Sequence, residues 1–258
     1  MNVAVCVKQI PDPASPGQLD GNNLLKREGK LILDDSDAYG VEMALQLVDK
    51  AGGGEVTLVS MAPNSEVSGL RTALAMGAHK AILVSDDSLK GSDALSTAKV
   101  LAAAIKRISP DLVVAATEST DGYTGTLPVQ IAELLGLPAL TFAKHIEVTD
   151  GTVKIDRQTE AGYDEVTCPL PAVVTVTAGV VEPRYPSFKG IMAAKNKPVE
   201  ELKVTDLGLD AGGVGAAGAG QEIVDVQAAE ERKAGEIIED DGEAFQRIVQ
   251  FLEQLKVI

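Results

Sequence analysis

Residues 111–135 read DLVVAATESTDGYTGTLPVQIAELL, and the fold class turns on this stretch. Its first five residues, DLVVA, are a short apolar run of the length of a buried strand. Its end, IAELL, carries the apolar spacing of a helix. Between them, residues 117–126 are small, hydroxylated or acidic, with two glycines. A strand that passes through such a loop directly into a helix is the repeating unit of an open α/β sheet.

Working outward, residues 2–8 (NVAVCVK), 55–60 (EVTLVS) and 80–84 (KAILV) repeat the strand pattern. The intervening segments are helical in period. Residues 37–50 align Val41, Ala44, Leu45 and Val48. Residues 65–76 align Val67, Leu70, Ala73 and Leu74, and residues 92–108 align Leu95, Ala98, Leu101, Ala102 and Ile105. Strands alternating with helices at this spacing predict right-handed crossovers and a doubly wound, mostly parallel, Rossmann-like sheet covered on both faces. Ser36 or Asp37, Ser65, and Ser92 or Asp93 are the expected helix caps.

Past residue 135 the texture changes. Residues 139–148, 152–157 and 163–168 read as strands, and Asp150-Gly151 is a hairpin turn signal, so a β-hairpin extension protrudes from or edges the sheet. Pro169 and Pro171 frame one more strand, residues 172–177. From Lys195 the α/β rhythm is lost. Residues 208–220 (GLDAGGVGAAGAG) read as a flexible linker, residues 221–241 are acidic, and residues 242–257 form an amphipathic helix with Phe245, Ile248, Val249, Phe251, Leu252 and Leu255 on one face. The expected division is an α/β domain over residues 1–207 and an extended C-terminal arm over 208–258. The helix's apolar face packs either on its own domain or on another subunit.

Charge and composition narrow the function. The chain of 258 residues has a formal net charge of -15, no Trp, four Phe and four Tyr. That balance disfavours nucleic acid and anionic membrane as partners. Cys6 and Cys168 stand far apart in apolar runs, which predicts two buried thiols rather than a disulfide framework or zinc site. The N-terminus lacks the pattern of a signal peptide and no run approaches a membrane span, so the expected location is cytoplasmic. His79 and His145 have no Ser or Cys elbow beside them. These features describe a binding protein.

Where would it bind? The loop at residues 117–126 ends a parallel strand and opens a helix, so its backbone N–H groups and Thr hydroxyls suit a phosphate. A plain capped turn has the same composition. Asp34-Asp35-Ser36-Asp37 opens another helix; its carboxylates suit ribose hydroxyls or adenine edges, or simply cap the helix. Met61-Ala62-Pro63 ends the next strand and faces the same crevice. Residues 182–195 (EPRYPSFKGIMAAK) set an aromatic pair and a short helical run after the last strand. They form either a connector on the sheet edge or an exposed apolar anchor for a partner.

The segments VCVKQIPDP (residues 5–13), LRTALAMGA (70–78), TDGYTGTLPVQIAELLGLP (120–138), LPAVVTV (170–176) and EPRYPSFKGIMAAK (182–195) resemble the β subunit of electron transfer flavoproteins. The resemblance implies a fold of the adenine nucleotide α-hydrolase-like kind. It implies a heterodimer with an α subunit whose mobile domain carries the redox FAD, and an electron carrier rather than an enzyme. It further implies AMP in this chain, or a second FAD as in electron-bifurcating members. Cys6, Asp34, Asp35, Ser36, Asp37, Met61, Ala116, Thr120, Asp121, Tyr123 and Leu127 would surround that nucleotide, and Gly122, Thr124, Gly125 and Thr126 would hold its phosphate. Tyr185, Phe188, Ile191 and Met192 fall in the family's partner-recognition loop, with Phe188 where Leu is usual. The implied partners are acyl-CoA or other dehydrogenases and a quinone reductase, and the C-terminal arm would wrap the α subunit.

Overall fold

The computed structural model describes residues 1–62, 64–229, 235 and 237–258. In chain order the body comprises β1 (Asn2–Cys6), β2 (Gln9–Ile10), β3 (Ile32–Leu33), α1 (Asp35–Lys50), β4 (Glu55–Ala62), α2 (Ser68–Met76), β5 (Lys80–Ser85), α3 (Ala94–Lys106), β6 (Leu112–Ala116) and α4 (Leu127–Leu135). It continues through β7 (Ala139–Thr149), β8 (Thr152–Thr159), β9 (Gly162–Pro169), β10 (Ala172–Val176), α5 (Phe188–Ala194), β11 (Val199–Leu202) and α6 (Gly215–Gly218), and α7 (Ala244–Gln254) closes the chain. One nine-stranded sheet has the order β11-β5-β4-β1-β6-β10-β7-β8-β9. It is parallel from β11 to β7 and antiparallel across β8 and β9.

The β-branched runs are buried because both sheet faces are covered. Val3, Val5 and Val7 belong to the core under α1 and α2, whereas Ala4 and Cys6 belong to the core under α3 and α4. Alternation of side chains along the central strands therefore sends every second residue to a different core, with almost none facing water. Asp150 and Gly151 have φ of 49° and 74°, the left-handed pair that a tight hairpin of this twist needs. The extension carries three antiparallel strands, and β10 then returns between β6 and β7.

Local chemistry moved several boundaries. α1 starts at Asp35, and its cap is Asp34 rather than Ser36 or Asp37: the Asp34 carboxylate accepts from the Ser36 N–H at 2.9 Å. α2 starts at Ser68, not at 65. Glu66 satisfies the Val67 and Ser68 N–H groups at 3.0 and 2.7 Å, while the Ser65 hydroxyl turns to Glu201 at 2.7 Å. Asp93 caps α3 as expected, accepting from Ser96 N–H at 2.7 Å.

Two expectations about the C-terminal third need correction. The α/β rhythm persists beyond Lys195, because β11 (VEEL) pairs in parallel with β5; as an exposed edge strand it needs little apolar character. Residues 208–220 are no free linker either. Val214 is buried, Gly220 N–H donates to Asp93 at 2.8 Å, and Ser96 Oγ donates to Gly218 O at 3.0 Å. Gly215 explains the composition: at φ +62° a Cβ there would stand 1.8 Å from Ser88 O, so the small residues allow close backbone approach. Cys168 is also only half-buried, being on edge strand β9, whereas Cys6 is buried; both are free thiols. The compact body runs Met1–Ile223. Val224–Ile258 is a separate unit in which α7 carries Phe245, Ile248 and Phe251 as exposed apolar side chains. Among the described residues no helix is long and apolar enough to cross a membrane.

Candidate functional site

β1 and β6 lie side by side at the centre of the sheet, and their following connections depart to opposite sides. β1 leads through α1 to β4; β6 leads through α4 to β7. Such a switch point leaves a crevice outside the carboxyl ends of the strands. Here it is a cavity of about 490 Å³, within the usual range for a small-molecule site.

Seven of the expected residues line it: Cys6, Asp37, Met61, Ala116, Thr124, Gly125 and Leu127. Asp34, Asp35, Ser36, Thr120, Asp121, Gly122, Tyr123 and Thr126 are not part of the wall. Several of these build it from behind. Asp34 is fully buried, and its second oxygen accepts from the Thr120 N–H at 2.7 Å and the Thr120 hydroxyl at 3.1 Å. One carboxylate thus starts α1 and fixes the loop after β6. Asp121 is nearly buried and grips two cations, Lys8 at 2.5 Å and Arg27. Tyr123 takes φ of 49° and points outward. Pro63 lies outside the described residues.

The loop at residues 117–126 contains no Lys or Arg, yet two cations reach it. Lys8 follows β1 and also bonds Ser119 Oγ at 3.1 Å. Arg27 belongs to the segment between β2 and β3, which covers the crevice with Leu24, Leu25 and Leu31 and donates to Gln9 O at 3.1 Å. That segment has no periodicity, and its only regular feature among the described residues is a bridge between Leu19 and Leu25. Leu89, Asp93, Thr97 and Leu101 close the side opposite. None of these was legible as a site residue, because nothing local in the sequence brings them to β6.

The electrostatics separate three acidic groups. Burial pushes the Cys6 thiol up to about 12, and the neighbouring Asp37 carboxylate adds to this, so Cys6 is an uncharged wall and not a nucleophile. Burial also holds the Asp37 carboxyl well above its ordinary range; the Lys8 N–H at 2.5 Å opposes this, and Asp34 and Asp121 reinforce it. Asp121 behaves oppositely. Burial raises it, but Lys8 and Arg27 together outweigh burial and hold it below the usual carboxylate range.

The cavity is therefore two-ended. Cys6, Met61, Leu101, Leu127 and Ile131 give an apolar slot for a flat ring. Ser119, Thr124, Gly125 and the two cations gather at the start of α4, where the first N–H groups of a helix point outward. Among the described residues no acceptor bonds the N–H of Gly122, Thr124 or Gly125. The amide oxygen of Asn64, also in the wall, is buried without a partner among the described residues. Backbone N–H groups of an exposed loop at the start of α4, and a buried acceptor whose amide nitrogen donates to Arg27 O at 3.2 Å, suit a nucleoside phosphate. His79 and His145 stand elsewhere, the first accepting from Val56 N–H at 3.0 Å and the second beside Glu147.

Residues 182–195 present Tyr185 and Phe188 at 92% and 80% exposure, with Ile191 and Met192 about half exposed beside them. All four expected partner-loop residues are thus open to solvent.

Comparison with known proteins agrees with this architecture. The family model for the electron transfer flavoprotein domain matches residues 23–207. The electron transfer flavoprotein subunit beta of Mycobacterium tuberculosis is 40% identical over 264 aligned positions, covering 100% of this chain and 99% of that one. Its counterpart in Thermoanaerobacterium thermosaccharolyticum is 35% identical over the full length of both chains. The caffeyl-CoA reductase-Etf complex subunit CarD of Acetobacterium woodii is 36% identical across 81% of this chain and 80% of its own length. With a family model spanning most of the body and relatives aligned end to end, the chain belongs to the electron transfer flavoprotein family, among its β subunits.

Proposed function

We propose that this chain works as the β subunit of a heterodimeric electron carrier, holding AMP in the switch-point crevice while an α subunit holds the redox FAD. The observation that carries the reading is the two-sided cavity: an apolar wall of Cys6, Met61, Leu101, Leu127 and Ile131, and open backbone donors with Lys8 and Arg27 at the start of α4. Thr124 and Gly125 hold the phosphate through hydroxyl and backbone N–H groups. Cys6, Met61 and Leu127 bracket the base, and Asp34 and Asp121 keep the loop and its cations in register. Bound FAD in the α subunit supplies the one- and two-electron chemistry; this chain binds and positions.

The Phe188 loop docks dehydrogenases of the acyl-CoA class or others, from which electrons pass through the α-subunit FAD to a quinone reductase. Residues 221–258 form the arm that embraces the α subunit, which would cover the apolar face of α7. A cytoplasmic location suits the two free thiols. A second reading, with a second FAD in the crevice of a bifurcating complex, draws on the relative named as a subunit of a reductase-Etf complex.

One measurement separates these readings. Co-expression with the α subunit, acid extraction and chromatography of the released nucleotides are expected to give about one FAD and one AMP per heterodimer. Two FAD and no AMP would establish the second reading instead.

A further inference from the structure

The docking loop carries its aromatic side chains almost entirely in water, so what fixes them? α5 is held on one side by α2. Gly190 sits so close that a Cβ would stand 2.4 Å from Ala75 O, and the Ser187 hydroxyl caps α5 by accepting from Gly190 N–H at 3.0 Å. Arg71 donates to Ala194 O and Lys197 O at 2.6 and 2.8 Å, and Lys197 Nζ donates to Leu74 O and Ala78 O at 2.9 and 2.6 Å. These bonds secure the loop's exit.

The entry is secured by a single group. Glu42, in the middle of α1, has a side chain only 5% exposed. Its Oε2 accepts from Arg184 Nε at 2.6 Å and from the Arg184 backbone N–H at 3.3 Å, while Oε1 accepts from Arg184 Nη2 at 3.0 Å. Gln46, one turn later, donates to Oε1 at 2.8 Å and fixes the carboxylate from behind. Among the described residues, Glu42 makes every hydrogen bond found for residues 181–186. Burial raises the Glu42 carboxyl, but Arg184 and Gln46 outweigh it and hold it below its ordinary range, which agrees with a fully engaged anion.

We propose that Glu42 and Arg184 are a positioning pair for partner docking, through which α1 sets the direction from which Tyr185 and Phe188 are presented. The inference rests on the reading of the Phe188 loop as the dehydrogenase contact. A planar guanidinium held by both oxygens of a carboxylate fixes orientation as well as distance, which a lysine ammonium does not. Pro183 and Pro186 flank Arg184 and stiffen the segment that carries this orientation to Phe188. The same helix begins at Asp34, which binds Thr120 of the crevice loop, so one rigid element references both the nucleotide site and the docking loop.

The test uses the full heterodimer and an acyl-CoA dehydrogenase reduced by its acyl-CoA substrate. Arg184→Ala and Glu42→Gln are each expected to raise the KM for the heterodimer about tenfold, with the limiting rate and the bound nucleotide retained. Arg184→Lys is expected to recover part of that loss. In a Phe188→Ala background Arg184→Ala should add almost nothing, since a residue acting through another shows strong non-additivity. Amide exchange across residues 184–192 should speed up in Arg184→Ala while α1 keeps its protection. Independent, additive effects of Arg184 and Phe188, or unchanged exchange in the loop, overturn the positioning pair and leave docking by Phe188 standing. If Phe188→Ala alone leaves KM unchanged, the docking reading falls and the pair falls with it.

Discussion

The crevice and the Phe188 loop solve opposite problems. The crevice encloses: its wall is gathered from β1, β4, β6, α1, α3, α4 and the β2–β3 segment, and the Asp121 carboxylate behind it is paired with Lys8 and Arg27. The loop presents: its working side chains are contiguous in sequence, exposed and unpaired, and only its base is tied down. Enclosure depends on polar groups being satisfied behind the wall; presentation depends on the rigidity of the support. A substitution in the first region should therefore damage folding and ligand together, and one in the second should separate them.

The largest effect is expected at Asp34. Asp34→Ala removes the α1 cap, an interaction of about 1 kcal/mol, and leaves the part-buried Thr120 donors without their acceptor, a loss of about 1–3 kcal/mol more. Urea unfolding of the chain should show a loss of about 3 kcal/mol with nucleotide released more readily. A loss under about 1 kcal/mol would mean that water replaces the carboxylate at both ends.

Next comes Phe188→Ala, which tests the other half of the contrast. Truncating an anchor side chain costs about 2 kcal/mol of docking, roughly a thirtyfold rise in KM for the dehydrogenase reaction. Because Phe188 is 80% exposed, its removal should change the free energy of unfolding by less than about 0.5 kcal/mol. Stability and docking falling together would show that the loop is part of the core and erase the distinction between the regions.

Arg27→Ala probes the crevice cover and should be milder. Arg27 is one of two cations on Asp121, so Lys8 still neutralises that carboxylate. Loss of one part-buried ion pair and of its bond to Gln9 O should speed nucleotide loss on dialysis about tenfold, with fold stability lowered by about 1 kcal/mol. Retention equal to that of the parent would make the β2–β3 segment a passive cover.

The same contrast explains what could be read in the sequence. The central strands were legible because five parallel strands buried on both faces, β5, β4, β1, β6 and β10, must be apolar runs, as in NVAVCVK and DLVVAA. Residues 182–195 stand out in the sequence as one contiguous segment with an aromatic pair, which allows either a sheet-edge connector or an exposed anchor; the exposure of Tyr185 and Phe188 is legible only in the structure. Only half the crevice showed: Met61 at a strand end, and Thr124 and Gly125 between a strand and a helix, announce themselves by position, but Lys8 and Arg27 reach Asp121 across 113 and 94 residues, a pairing that only the assembled sheet creates. Residues 208–220 misled for a related reason. Gly and Ala give flexibility in a free chain and close approach in a packed one, and the difference lies in Ser88 and Asp93, far upstream.

The smallest effect is expected at Asp37, and its sign carries the information. Its folded carboxyl binds a proton more tightly than an unfolded aspartate does, so between the unfolded value, about 3.9, and the folded one the native state holds the extra proton. Stability attributable to this group therefore falls as pH rises through that window and is level above it. Asp121, held low by Lys8 and Arg27, contributes the opposite slope: its stabilisation is present above the unfolded value and is lost as pH falls through its folded value. Asp37→Asn removes the first slope and keeps an oxygen to accept the Lys8 N–H. Unfolding curves from pH 3 to 8 should place the variant above the parent at neutral pH by about 1 kcal/mol or less, with the gap closing as pH falls. Parallel curves would mean that Asp37 titrates alike in both states. The enclosed region would then hold its charges by pairing alone, with burial contributing nothing to its pH response.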